Sequence, residues 1–93
     1  MERNSEDAES TLTMTVMQGA MLTNHIITTF AAGTSLMCVS SCNARPDCLS
    51  INYNRLTRTC DLNDKDGTNY QAIYDLVTGL SPEHILFSTK TLH

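Results

Sequence analysis

Hydrophobic and polar positions alternate with a period of two in several short stretches of this chain, and with a helical period in only one. Residues 13–18, Thr-Met-Thr-Val-Met-Gln, set threonine against larger apolar side chains, the pattern of a strand with one buried face. Gly19 breaks it. Residues 25–31, His-Ile-Ile-Thr-Thr-Phe-Ala, concentrate β-branched and aromatic side chains and predict a second strand. In Cys48-Leu-Ser-Ile-Asn-Tyr-Asn54, Leu49, Ile51 and Tyr53 share one side of a strand, and Ser50 and Asn52 the other. A turn through residues 54–57 leads to residues 58–63, where Cys60 and Leu62 face together, so the pair reads as a hairpin. Residues 64–69, Asp-Lys-Asp-Gly-Thr-Asn, are turn formers and predict a surface loop. Residues 73–80 fit a helical turn or irregular structure equally, and residues 85–89 predict a last strand that could close the sheet.

The helical stretch runs over residues 35–44. Thr34 or Ser35, just after Gly33, can cap it by accepting a hydrogen bond from a free N–H of the first turn. Leu36, Val39 and Cys42 follow at spacings of three, and Cys38 and Cys42, four apart, project from one face. Pro46 disfavours helical geometry at Arg45 and stops the segment.

A chain of 93 residues holds one hydrophobic core, and a domain this small buries only ~60–65% of the surface its unfolded chain exposes. A covalent or metal staple is therefore expected, and four cysteines can supply one. Composition is globular, with 41% hydrophobic and 17% charged residues. Residues 1–12 read as a disordered acidic lead-in, 13–90 as the single domain and 91–93 as a tail. Of the net charge of −4, most sits in the first ten residues, where Glu2, Glu6, Asp7 and Glu9 outnumber Arg3. The rest is nearly neutral and has no Lys/Arg stripe to face phosphates, which excludes nucleic-acid binding. No stretch approaches the ~20 apolar residues of a membrane span. The N-terminus is too polar for a signal peptide, so a secreted chain implies a targeting segment lying elsewhere.

The four cysteines, Cys38-x3-Cys42-x5-Cys48-x11-Cys60, occupy one 23-residue window. Zinc knuckles draw ligand pairs from tight C-x2-4-C loops, whereas here one pair sits on a helix and the other spans a hairpin. A redox C-x-x-C motif is absent. Reduced core cysteines in a cytosolic protein, and an intracellular zinc-stabilised interaction domain, stand as the alternatives to disulfides. Cysteines four apart on one helix face are poorly placed to bridge each other, so each should seek a partner in the strands. Cys42 ends the helix and Cys48 opens the next strand across the Pro46 reversal, which pairs Cys42 with Cys48 and leaves Cys38 for Cys60.

Cys38-Val-Ser-Ser-Cys42 on a helix, Cys48-Leu-Ser-Ile-Asn-Tyr53 opening a strand and Thr59-Cys60-Asp-Leu-Asn63 closing the core resemble the PAN/apple domain family. Gln18 to Ile27 looks like the family's strand region before the helix. The resemblance covers roughly residues 14–90. It implies an α+β fold, an antiparallel β-sheet cradling one short α-helix, with two disulfides fastening the helix to the central strands. Fuller apple domains also join their terminal strands by an outer cysteine pair; this chain resembles the shorter four-cysteine form, whose ends should fray more readily. The implied function is an extracellular, non-catalytic binding module for proteins or carbohydrates within a longer secreted or cell-surface protein. No family-wide ligand set exists to carry over.

Other candidate chemistry is sparse. His25, His84 and His93 have no local nucleophile or carboxylate signature, so no enzyme and no cofactor is expected. Asp61 to Gly67 is acidic, but an EF-hand register would place Leu62 and Ile73 at ligand positions, leaving only a weak calcium contact through Asp64 and Asp66. Arg45, Arg55 and Arg58 fall in turns beside the cysteine-rich core and are the candidate ligand-binding residues, a basic spot for sulfated glycan or an acidic protein. Tyr53, Tyr70 and Tyr74 are contact candidates, with Tyr53 expected in the core. No Asn-x-Ser/Thr sequon is present.

Overall fold

The computed structural model describes residues 12–66 and 73–91. Strand β1 (Leu12–Gln18) leads to a short β2 (Met21–Leu22) and then β3 (Ile26–Ala31). Helix α1 (Ser35–Asn43) is followed by β4 (Ser50–Asn54), β5 (Thr59–Asn63), a single 3-10 turn (Ile73–Asp75), β6 (Leu76–Val77) and β7 (His84–Thr91). Five strands form one antiparallel sheet in the order β1-β7-β4-β5-β3, and β2 pairs with β6 in a separate two-stranded ribbon. Residues 73–80, ambiguous in the sequence, hold the 3-10 turn and β6. The first and last strands reach one residue beyond the expected domain at each end, because Leu12 pairs with Thr91. The expected lead-in and tail otherwise lie outside the described residues.

Helix α1 begins where its cap says it should. Thr34 has extended backbone and its Oγ1 accepts a hydrogen bond from the Met37 N–H at 3.2 Å. Ala44 closes the other end, its N–H bonding the Ser40 carbonyl at 3.1 Å. The buried stripe is Cys38, Val39 and Cys42. Leu36, expected in that stripe, is 72% exposed; at 3.6 residues per turn it lies roughly 110° round the helix from the stripe's centre.

One face of the sheet carries this helix. Register places Ile51, Tyr53, Cys60, Leu62, Phe30 and Phe87 on that side, and they pack with Ala32, Val39 and the cysteines into the main core. Tyr53 is buried and donates its hydroxyl hydrogen bond to the Ala32 carbonyl at 2.8 Å. Leu49, expected beside Ile51 and Tyr53, precedes the strand and is 39% exposed.

The opposite face holds Ser50, Asn52, Asn54, Thr59, Asp61, Asn63 and Leu86, and the β2–β6 ribbon covers part of it. Leu22 and Ala20 pack there on Leu86, with Met17 and Leu76 around them, as a second small core. The ribbon is clamped by a polar side chain of the central strand. Asn52 Oδ1 accepts from the Leu22 N–H at 2.8 Å and Asn52 Nδ2 donates to the Leu22 carbonyl at 2.7 Å. One asparagine thus satisfies both backbone groups of a fully buried residue, as an added strand partner would. The corner from β1 into the ribbon needs Gly19: its φ is +75°, and a Cβ there would lie 2.8 Å from the Leu80 carbonyl oxygen.

Candidate functional site

All four cysteines are paired. Cys38 bonds Cys60 with a Cα separation of 5.6 Å, and Cys42 bonds Cys48 at 5.2 Å, both within the usual disulfide range of roughly 4.4–6.8 Å. The first bridge ties the middle of α1 to β5; the second ties the helix's last turn to the approach to β4. With every sulfur in a bridge, no thiolate is left for a zinc site of the kind the alternative reading needs.

The three arginines do not gather in one place. Arg45 follows the C-terminal end of α1, whereas the Arg58 carbonyl accepts from the Ala32 N–H, just ahead of the helix's N-terminal end. A nine-residue helix, about 14 Å of rise, therefore lies between their backbones. Arg45 is also engaged: its Nε and Nη2 donate to the two carboxylate oxygens of Asp47 at 3.0 and 3.1 Å. This fork holds Asp47 below the ordinary carboxylate range and raises Arg45, hydrogen bonding being the larger cause in each. Arg55 and Arg58 are exposed on the β4–β5 turn. That turn is tightly built, with Asn54 Oδ1 accepting from the Leu56 and Thr57 N–H groups at 2.9 and 3.0 Å. Arg58 occupies its left-handed position at φ +58°, a conformation usually given to glycine.

His25 meets carboxylates that no local pattern signalled. Its Nε2 lies 2.8 Å from Asp75 Oδ2 and its Nδ1 3.8 Å from Asp64 Oδ1. Both ring nitrogens face acids and neither contacts a hydroxyl or thiol among the described residues, so the imidazole is not placed to activate a nucleophile. The cluster has a structural role: Asp75 also accepts from Asn24 Nδ2 at 3.0 Å, and its carbonyl accepts from the Thr23 N–H and hydroxyl, both at 3.0 Å. It pins the β2–β3 turn, where Asn24 has φ +66°, to the segment entering β6. Bonding by Asn24 first, and His25 second, holds the Asp75 carboxyl below its usual range. A depressed folded-state pKa means stability that is present above the unfolded value of about 3.9 and is lost as pH falls through the folded one. Asp75→Asn is accordingly expected to flatten the acid limb of a stability-versus-pH curve below about pH 4, read by urea unfolding at a series of pH values. An unchanged limb would show that Asp75 gives no such contribution.

His84 lines a cleft instead. On the ribbon side of the sheet, beside the β4–β5 turn, an open depression of about 220 Å³ is lined by Ala20, Met21, Asn52, Asn54, Thr57, Thr59, Asp61 and His84, among others. No single stretch of sequence announces it, since its residues come from β4, β5, the turn between them, β7 and the ribbon. Of the other expected contacts, Tyr74 is 87% exposed. Tyr70 and His93 lie outside the described residues, as does Gly67 of the acidic loop. Among the described residues no three His, Cys, Asp or Glu side chains gather as metal ligands, and no helix is long and apolar enough to cross a membrane.

A five-stranded antiparallel sheet cradling one helix, with both disulfides running from that helix region into the central strands, defines a disulfide-stapled α+β module. The chain belongs to the PAN domain family, which matches residues 13–89. Thirteen chains of solved structures are similar to it. One is the solution structure of the two N-terminal apple domains of Toxoplasma gondii microneme protein 4, at 16% identity and a TM-score of 0.60. The match covers 78% of this chain and 42% of that one. No curated protein matches by sequence.

Proposed function

We propose that the chain is an extracellular, non-catalytic recognition module that binds protein or carbohydrate as part of a larger secreted or cell-surface protein. The observation that carries this reading is the pairing of all four cysteines into two bridges that lock helix to sheet. Such bonds persist in oxidising compartments and are rare where thioredoxin and glutathione keep thiols reduced. They also make the scaffold rigid, so that exposed turns can present side chains at low entropic cost. Family membership supports a binding role, since PAN and apple domains serve generally as interaction modules.

Mass spectrometry of the protein recovered from its native source, without reductant, tests the compartment. A chain four hydrogens lighter than its fully reduced mass is expected; four free thiols would overturn the extracellular reading. Arg55 and Arg58, with Arg45 at the far end of the helix, are the residues assigned to anionic ligands. On immobilised heparin, retention is expected to fall with added salt and to fall further in the triple variant Arg45→Ala, Arg55→Ala, Arg58→Ala. Equal retention of the triple variant and the parent would remove the arginines from the binding surface. Because Asp47 already occupies Arg45, the single change Arg45→Ala should account for the smaller share of the loss.

A further inference from the structure

The cleft beside the β4–β5 turn sets one apolar wall against side chains whose hydrogen-bonding capacity is only partly used. Asn54 spends its Oδ1 on the turn, while its amide N–H groups bond no described residue. The Thr57 and Thr59 hydroxyls bond each other at 2.9 Å, and whichever of them donates, the other keeps a hydrogen to give. Asp61 accepts one bond at each oxygen, from Thr29 at 2.8 Å and Asn52 at 3.3 Å, and a carboxylate has about four acceptor positions in all. The His84 ring makes no hydrogen bond to any described residue. Met21 supplies the apolar wall, with the buried Ala20 behind it.

Resting on the reading of the chain as a recognition module, we infer that this cleft is a subsite for one neutral, polyhydroxylated ring, a single uncharged sugar residue. Size supports this: about 220 Å³ is below the roughly 300–1,000 Å³ of pockets that hold drug-sized ligands, and suits one ring. So does chemistry. Each sugar hydroxyl both donates and accepts, and neighbouring hydroxyls need donors and acceptors side by side. The Asn54 amide, the threonine pair and Asp61 provide that mixture within one depression. The ring's C–H face needs an apolar surface, which the half-buried Met21 offers. The Asp61 carboxylate disfavours sulfate or uronate at this position, so a charged glycan contact, if made at the arginines, is a separate one.

Titration of the ¹⁵N-labelled oxidised protein with methyl β-galactoside, methyl α-mannoside and N-acetylglucosamine tests the inference. Saturable NMR shifts are expected for at least one sugar, centred on the Asn54 side-chain amide and on Thr57, Thr59 and Asp61. Asn54→Asp keeps the oxygen that closes the turn and removes the donors, and should weaken that sugar about tenfold, the effect of one to two ordinary hydrogen bonds. Should Asn54→Asp loosen the turn, as its own spectrum would reveal, Thr59→Val carries the same expectation through loss of the hydroxyl pair. Absence of saturable shifts at the cleft with all three sugars, or undiminished affinity in a folded variant, would overturn the subsite. Heparin retention of the charge-neutral Thr59→Val variant separates the two readings, since retention follows the arginines and should not change when only a cleft hydroxyl is lost.

Discussion

Replacing Cys38 and Cys60 together by alanine is expected to cost about 3 kcal/mol of folding stability, which is the loop-closure entropy that a bridge across 22 residues withholds from the unfolded chain. The short bridge, across 6 residues, should cost about 2 kcal/mol when Cys42 and Cys48 are replaced. Small domains have roughly 5–15 kcal/mol in total, so removing both pairs brings the chain near the point of unfolding. Urea midpoints of the oxidised parent and the two double variants measure this. The long-bridge variant should be the less stable of the two, and the reverse order would show that the bridges act mainly through the packing around them. Alanine leaves a further loss at Cys38 and Cys60, both fully buried in the main core, which adds in the same direction.

The second large effect belongs to a residue without any candidate chemistry. Asn52→Ala strips the partners from both the N–H and the carbonyl of Leu22, a residue with no exposed surface, and each buried group left unpaired costs about 1–3 kcal/mol. A loss of about 3 kcal/mol is therefore expected, with the β2–β6 ribbon loosened from the sheet. Asn52→Asp should be no better: its oxygen can still accept from the Leu22 N–H, but a carboxylate then faces the Leu22 carbonyl and the Asp61 carboxylate. Hydrogen exchange at Leu22 and Val77 reads the ribbon directly. A cost below about 1 kcal/mol with unchanged exchange would refute the clamp, since even one unpaired buried group exceeds it.

Much of the scaffold can be read from period and punctuation. The runs at residues 13–18, 25–31 and 48–54 and the Gly33-Thr34 approach to a helix each correspond to an element, but Val16, on the face of the first that its alternation marks for burial, is 55% exposed. Leu36 departs from its spacing because the three most buried helix positions, Cys38, Val39 and Cys42, place the covered face away from it. Periodicity marks which positions could share a face; it does not say how wide the partner is. Leu49 departs because the chain enters β4 one residue later, at Ser50.

The ribbon was not legible at all. Two-residue strands carry no period, and Met21-Leu22 finds its partner, Leu76-Val77, more than fifty residues away. His25 reads as a lone strand histidine for the same reason, because Asp75 comes fifty residues later. The arginines look like neighbours of the cysteine core from either side, yet α1 separates Arg45 from the other two.

By itself, then, the sequence determined the helix with its threonine cap, the long strands and hairpin, and the close grouping of sulfurs, because each depends on contacts between near neighbours in the chain. Only the tertiary structure decided which polar residues of the central strand face the ribbon, that Asn52 holds Leu22, and that side chains from β4, β5, β7 and the ribbon enclose one cleft. Those features depend on strand order. In a sheet ordered β1-β7-β4-β5-β3, the residues that meet across a face come from opposite ends of the chain, where no local pattern records their encounter.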